Sequence, residues 1–124
     1  MQRKFAHAFH IPGTLTADLN IRFTVPSGCT LVHVSFGNSA ASDATIDIGT
    51  SVDTDGYLDG GDVGDSNVPA EFDKDDFDGA LLSDAGHEYP HLVDGTIMVV
   101  IVDFDGAGGT AAANLTIVLT FVEG

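Results

Sequence analysis

Four well-separated segments of this chain alternate apolar and polar residues with a period of two. No segment combines helix caps with the three-to-four spacing of an amphipathic helix. In the first, Phe5, His7, Phe9 and Ile11 share one face, opposite Ala6, Ala8 and His10. Leu19, Ile21, Phe23 and Val25 line the second. Thr30, Val32, Val34 and Phe36 form the expected apolar face of the third. In the last, Leu115, Ile117, Leu119 and Phe121 face one way and Thr116, Val118 and Thr120 the other. Ala44, Ile46 and Ile48 add a short strand. Thr96 to Phe104 is apolar on both faces and β-branched, as a central strand requires. Pro12-Gly13, Pro26-Ser27-Gly28 and Gly106 to Gly109 punctuate the runs. This pattern predicts an all-β chain, a single antiparallel β-sandwich of six to eight strands. The absence of tryptophan and the presence of one cysteine favour a jelly-roll-like arrangement over an immunoglobulin-like one. The 124 residues fit one domain, 1–124, with an N-terminal arm over about 1–12.

Between the strand-like halves lies GTSVDTDGYLDGGDVGDSNVPAEFDKDDFDG, residues 49–79, with ten of the chain's 19 acidic residues and six glycines. It reads as one long acidic loop. Tyr57, Leu58, Val63, Val68, Phe72 and Phe77 are spaced through it, and a fully solvated loop has no need of them. They are expected to pin it to the sandwich, with one short helical turn near Leu58 to Val63. Ala80-Leu81-Leu82 follows as a brief strand or turn. The net charge of −15 repels nucleic-acid phosphates and anionic membranes, and suits a cationic or metal partner.

Asp53, Asp55, Asp59 and Asp62 place carboxylates in a glycine-rich turn, the hard-oxygen chemistry that Ca²⁺ takes. Gly56 and Asp59 fall at the wrong positions for an EF-hand, and a solvated turn-rich loop is the competing reading. Asp73, Asp75, Asp76 and Asp78 crowd six residues, where like charges repel unless a cation or basic partner offsets them. His87-Glu88-Tyr89-Pro90-His91 matches the zinc-protease string, but that chemistry needs a helix and Pro90 interrupts one. A carboxylate-pair glycosidase normally has aromatic sugar platforms, and two tyrosines without tryptophan do not supply them. No nucleophile elbow or phosphate-cradling loop is present. The expectation is a non-enzyme with no catalytic or cofactor-binding residues, and Ca²⁺ as the one metal to consider. Cys29 reads as a buried, inert thiol, and His7, His10 and His33 as core or edge histidines. The Asn114-Leu115-Thr116 sequon falls in an expected strand and is discounted. The opening residues lack the apolar run of a secretory signal, so synthesis in a cytoplasm is expected.

The order HIPGT, VPSGCTLVHVS, ATIDIGTS, DTDGYLDGGDVGD, EFDKDDF, HEYPHLVDGT and TIVLTFVEG resembles small β-sandwich proteins of tailed-bacteriophage virions, capsid decoration (cement) proteins among them. The resemblance implies a particle component bound in many copies to the capsid surface. Its partner would be the major capsid protein or another virion protein, and the chain a homo-oligomer such as a trimer. Such proteins share no active-site motif, so no site residue transfers. The alternative is a calcium-dependent carbohydrate- or surface-binding module of a tail or fibre. Because neighbouring copies carry the same charge, Asp53 to Asp78 is expected to face outward. Anchoring is assigned to Arg3, Lys4, Phe5 and Phe9, which join two of the chain's four basic residues to apolar area.

Overall fold

The computed structural model describes residues 3–124, so Met1 and Gln2 of the expected arm lie outside the described residues. The strands are β1 (Lys4–Thr14), β2 (Leu19–Thr24), β3 (Cys29–Gly37), β4 (Thr45–Thr50), β5 (Leu58–Asp62), β6 (Ala70–Phe72), β7 (His91–Leu92), β8 (Ile97–Asp103) and β9 (Ala113–Glu123). They form two antiparallel sheets. The first runs β1-β9-β3-β6, with β7 also on β3, and the second runs β2-β8-β4-β5. The chain crosses from one sheet to the other at β1–β2, β2–β3 and β3–β4, and again at β5–β6, β7–β8 and β8–β9. Apart from the extra strand β7, this is the order of a double-sheet jelly roll. No helix occurs among the described residues.

The period-two faces meet between the sheets. Leu31, Val34, Phe36, Leu115, Ile117, Leu119 and Phe121 face Ile46, Ile48, Met98, Val100 and Val102, all sealed from solvent. Each such side chain contributes about 1.5–3 kcal/mol. Thr96 to Phe104 does hold a central strand: β8 lies between β2 and β4, and Val99, on its outward face, is also buried.

Two local expectations are corrected. In β3, Thr30 and Val32 do not share the buried face of Val34 and Phe36. Leu31 opposes Phe121 and His33 opposes Thr120, so Val32 is an extra residue, a β-bulge that reverses the alternation. Cys29 and Leu31 are therefore buried before the bulge, and Val34 and Phe36 after it. The second correction concerns Leu58 to Val63, which form no helical turn. Leu58 pairs with Ile48, and Gly61 and Asp62 pair with Ile46 and Thr45, making strand β5 on the edge of β4. Gly60, at φ 68°, absorbs the bulge in that ladder.

The acidic stretch is thus built into the sandwich, contributing β5 and β6 as well as turns. Tyr57, Leu58, Val63 and Phe77 are buried as expected and Phe72 packs on the core, while Val68 is exposed. Glycines let its turns stack backbone on backbone. A Cβ on Gly49 would run into the Asp53 carbonyl oxygen and lie 2.8 Å from Gly56 N. One on Gly79 would lie 2.6 Å from the Gly56 carbonyl carbon. Tyr57 N–H donates to the Ile48 carbonyl at 2.9 Å, and Asp78 N–H to the Tyr57 carbonyl at 2.9 Å. Ala80 to Leu82 form a turn.

Candidate functional site

Strand pairing gathers three carboxylates at one corner. Asp47 stands on the outward face of β4, Asp59 lies on neighbouring β5, and Asp55 comes from the turn between them. One oxygen of each lies within 4.8 Å of the others. Of the four aspartates read from the sequence, this corner holds Asp55 and Asp59. Asp53 stands beside it, its Oδ1 accepting from Asp55 N–H at 3.4 Å and its carbonyl ordering the turn by accepting from Thr50 and Gly56. Asp62 is not brought in; its Oδ1 accepts from Gly64 N–H at 3.1 Å. Asp47 lies before the acidic stretch, and only the β4–β5 ladder brings it to Asp55. Its signal in the sequence was an acid at an outward position of the apolar run Ile46, Asp47, Ile48. A hydrogen bond shared with the Asp53 carboxyl pushes Asp55 above the usual aspartate range. Burial and the charges of Asp53, Asp59 and Asp47 push the same way. These carboxylates have the chemistry to hold a hard divalent cation.

The string at His87 to His91 is divided between a turn and β7. Glu88 accepts from Asp84 N–H at 2.9 Å and from Ser83 Oγ, which hold it below the usual glutamate range against a smaller opposing effect of burial. The Pro90 carbonyl accepts from Leu31 N–H at 2.8 Å, and His91 opposes Thr30 in the ladder. The two histidines therefore do not share a helical face. Cys29 is buried, which raises its thiol pKa. Burial raises Tyr57 likewise, with a smaller contribution from Cys29.

The opposite character appears on the first sheet. Strands β1, β9 and β3 contain one acidic residue, Glu123. Across their outer face run four rows: Lys4, Val122 and Thr30; Ala6, Thr120 and His33; Ala8, Val118 and Ser35; His10, Thr116 and Gly37. Glu71 of β6 borders this face and lies 3.3 Å from His33. Arg3 and Lys4 are exposed at its corner. Phe5 and Phe9 face the other way. Phe5 stacks on Phe121 at 5.2 Å and Phe9 packs against Phe23 at 5.6 Å, so their rings serve the core margin. No cavity is present among the described residues.

No protein-family model matches the chain. No curated protein matches it either. Among solved structures, it is similar in fold to a chain of the cyanophage Pam1 capsid asymmetric unit, with a TM-score of 0.53 and 14% identity over 99% of this chain and 85% of that one.

Proposed function

We propose that this chain is a structural protein of a phage virion, a decoration protein bound to the outer surface of the head, with no catalytic role. The observation that supports it is the likeness of fold to a chain of a cyanophage capsid over 99% of this chain and 85% of that one. The charge distribution fits that reading. A decorating protein needs one face that docks and one that meets solvent. The row of Ala8, Val118 and Ser35, with Lys4 and Arg3 at the corner, offers a flat and acid-poor face. The acidic turns flank β6, at the edge of the first sheet opposite β1, and β5, at the edge of the second opposite β2. In this reading the docking role passes from the rings of Phe5 and Phe9 to the outer face beside them, while Arg3 and Lys4 keep theirs.

The test is co-sedimentation of the purified chain with heads of the phage whose genome encodes it. Saturable binding in many copies per head, lost in Val118→Glu and retained in Val68→Glu, is the expected result. Absence of binding to heads and intact virions alike would overturn it. The corner of Asp47, Asp55 and Asp59 favours a second reading, a calcium-dependent surface- or carbohydrate-binding module. That reading requires sugar binding that EDTA abolishes.

A further inference from the structure

Strand β1 is the free edge of the first sheet: β9 pairs along one side, and no described strand covers the other. The ladder shows which backbone groups this leaves unpaired. Glu123 N–H donates to the Arg3 carbonyl at 2.9 Å, which makes Arg3 and Glu123 a hydrogen-bonded pair. In antiparallel sheets such pairs alternate with pairs whose amides point away. Phe5, His7, Phe9 and Ile11 accordingly bond to β9, and Lys4, Ala6, Ala8 and His10 turn their N–H and C=O groups to the open edge. Pro12, the next outward position, has no N–H to leave unpaired.

Natural proteins guard open edges by keeping them short, charging them, bulging them or covering them. The other edges here follow that rule. Strand β2 is short and carries Arg22, β5 is bulged and carries Asp59 and Asp62, and β6 has three residues with Glu71 at its centre. Strand β1 has 11 residues, and its proline and register shift lie beyond Ile11, which leaves Lys4 to Ile11 regular, with one charged side chain in Lys4 and two alanines that keep its backbone within reach.

We propose that this edge pairs with the same edge of a second copy, antiparallel about a two-fold axis, forming a homodimer with one continuous sheet. With the axis between Ala6 and Ala8, each outward residue from Lys4 to His10 finds a partner: Lys4 of each copy opposes His10 of the other, and Ala6 opposes Ala8. Electrostatics excludes the β5 and β6 edges for a second copy, and β2 is the shorter edge, guarded by Arg22. Each chain carries −15, and contact through β5 or β6 would set carboxylates against carboxylates. Strand β1 brings no carboxylate to the contact. The pairing also joins two acid-poor faces into one of twice the extent, and it requires no virion particle to form.

Backbone pairing is charge-neutral, so the opposing force is long-range repulsion between the remote acids. Salt screens that repulsion, with a Debye length of about 10 Å at 0.1 M. The dimer therefore tightens as salt rises, opposite to a contact held by ion pairs. Sedimentation equilibrium of the full chain across concentration and sodium chloride tests this. The expected mass is twice the 12.8 kDa of one chain, with Kd falling as salt increases. Ala8→Pro removes an outward N–H and leaves the bonds to β9 in place. It should raise the dimer Kd on the order of tenfold or more with an unchanged circular dichroism spectrum, since each copy loses a backbone bond. Ala6→Lys, which adds a guarding charge without touching the backbone, should do the same. A wild type that stays monomeric, a trimer, an association that weakens with salt, or a dimer indifferent to both substitutions would overturn the proposal.

Discussion

Asp55 titrates against its neighbours. Its carboxyl is held above the ordinary range chiefly by a hydrogen bond with Asp53, then by burial and the charges of Asp53, Asp59 and Asp47. Between the ordinary aspartate pKa and this raised one, the folded chain holds a proton that the unfolded chain has released. Stability therefore falls as pH rises through that window, and the cost is fully present at neutral pH. Asp55→Asn should raise the melting temperature at pH 7, and its advantage should vanish below the ordinary aspartate range. Thermal melts of both proteins over a pH series check this, and a variant less stable at pH 7 would contradict it. Glu88 has the opposite sign. Its pKa is lowered, first by Asp84 N–H, so it stabilises above the ordinary glutamate range and that support is lost as pH falls through its lowered pKa. Glu88→Gln should thus be less stable than wild type at pH 7 and equal to it in strong acid. Ca²⁺ bound at Asp47, Asp55 and Asp59 would lower the Asp55 pKa. A flattening of the Asp55→Asn difference on adding Ca²⁺ is the expected signature of a cation there.

At the scale of the element, what the sequence revealed and what it concealed have the same cause. Strand β2 alternates strictly, as do β1 from Phe5 to Ile11 and β9 from Leu115 to Phe121, so these residues could be assigned to faces by parity alone. Parity fails at a bulge, because one extra residue exchanges the faces beyond it. Val32 is apolar and β-branched, and nothing in its chemistry marks it as that residue. Strand β5 was hidden because Asp59, Gly60, Gly61 and Asp62 have low strand propensity; the open edge of β4 supplies the pairing. The corner of Asp47, Asp55 and Asp59 was hidden with it, since Asp47 enters only through that ladder. Gly49 reads in the sequence as the first residue of the acidic loop and not as a packing residue of a strand. It is an outward position on β4, over which the turn from Asp53 to Gly56 lies in direct contact. Gly49→Ala forces a methyl into that backbone and should cost about 1–3 kcal/mol. Urea denaturation should show the lowered midpoint, whereas Gly37→Ala, which meets nothing within 4 Å, should leave it nearly unchanged.

Across the whole molecule, 19 acidic residues are distributed so that β1, β9 and β3 hold one of them. Strand order produces this separation. In the first sheet β1 and β6 lie at opposite edges, and in the second β2 and β5 do. The acidic stretch of the sequence feeds β5 and β6, so its charge collects at the edge remote from β1. Arg3, Lys4 and Arg22 lie on β2 or at and before the start of β1, away from it. Among the described residues no lysine or arginine forms an ion pair with a carboxylate. A surface that docks by its acid-poor face should tolerate changes at the far edge. Neutralising Asp73, Asp75, Asp76 and Asp78 to Asn together removes four charges from the exposed turn after β6. It should leave head occupancy at saturation unchanged, because those residues meet solvent. Val118→Glu places a carboxylate at the centre of the outer face, opposite Ala8 and Ser35, and should strip the protein from heads while its melting transition persists. Occupancy of both variants, measured on purified heads across a salt series, decides between the two surfaces. Raising salt should restore part of the binding lost in Val118→Glu if repulsion is the cause, and none of it if the glutamate acts by bulk alone. Loss of the four-Asn variant with retention of Val118→Glu would mean that the acidic edge docks and the flat face meets solvent.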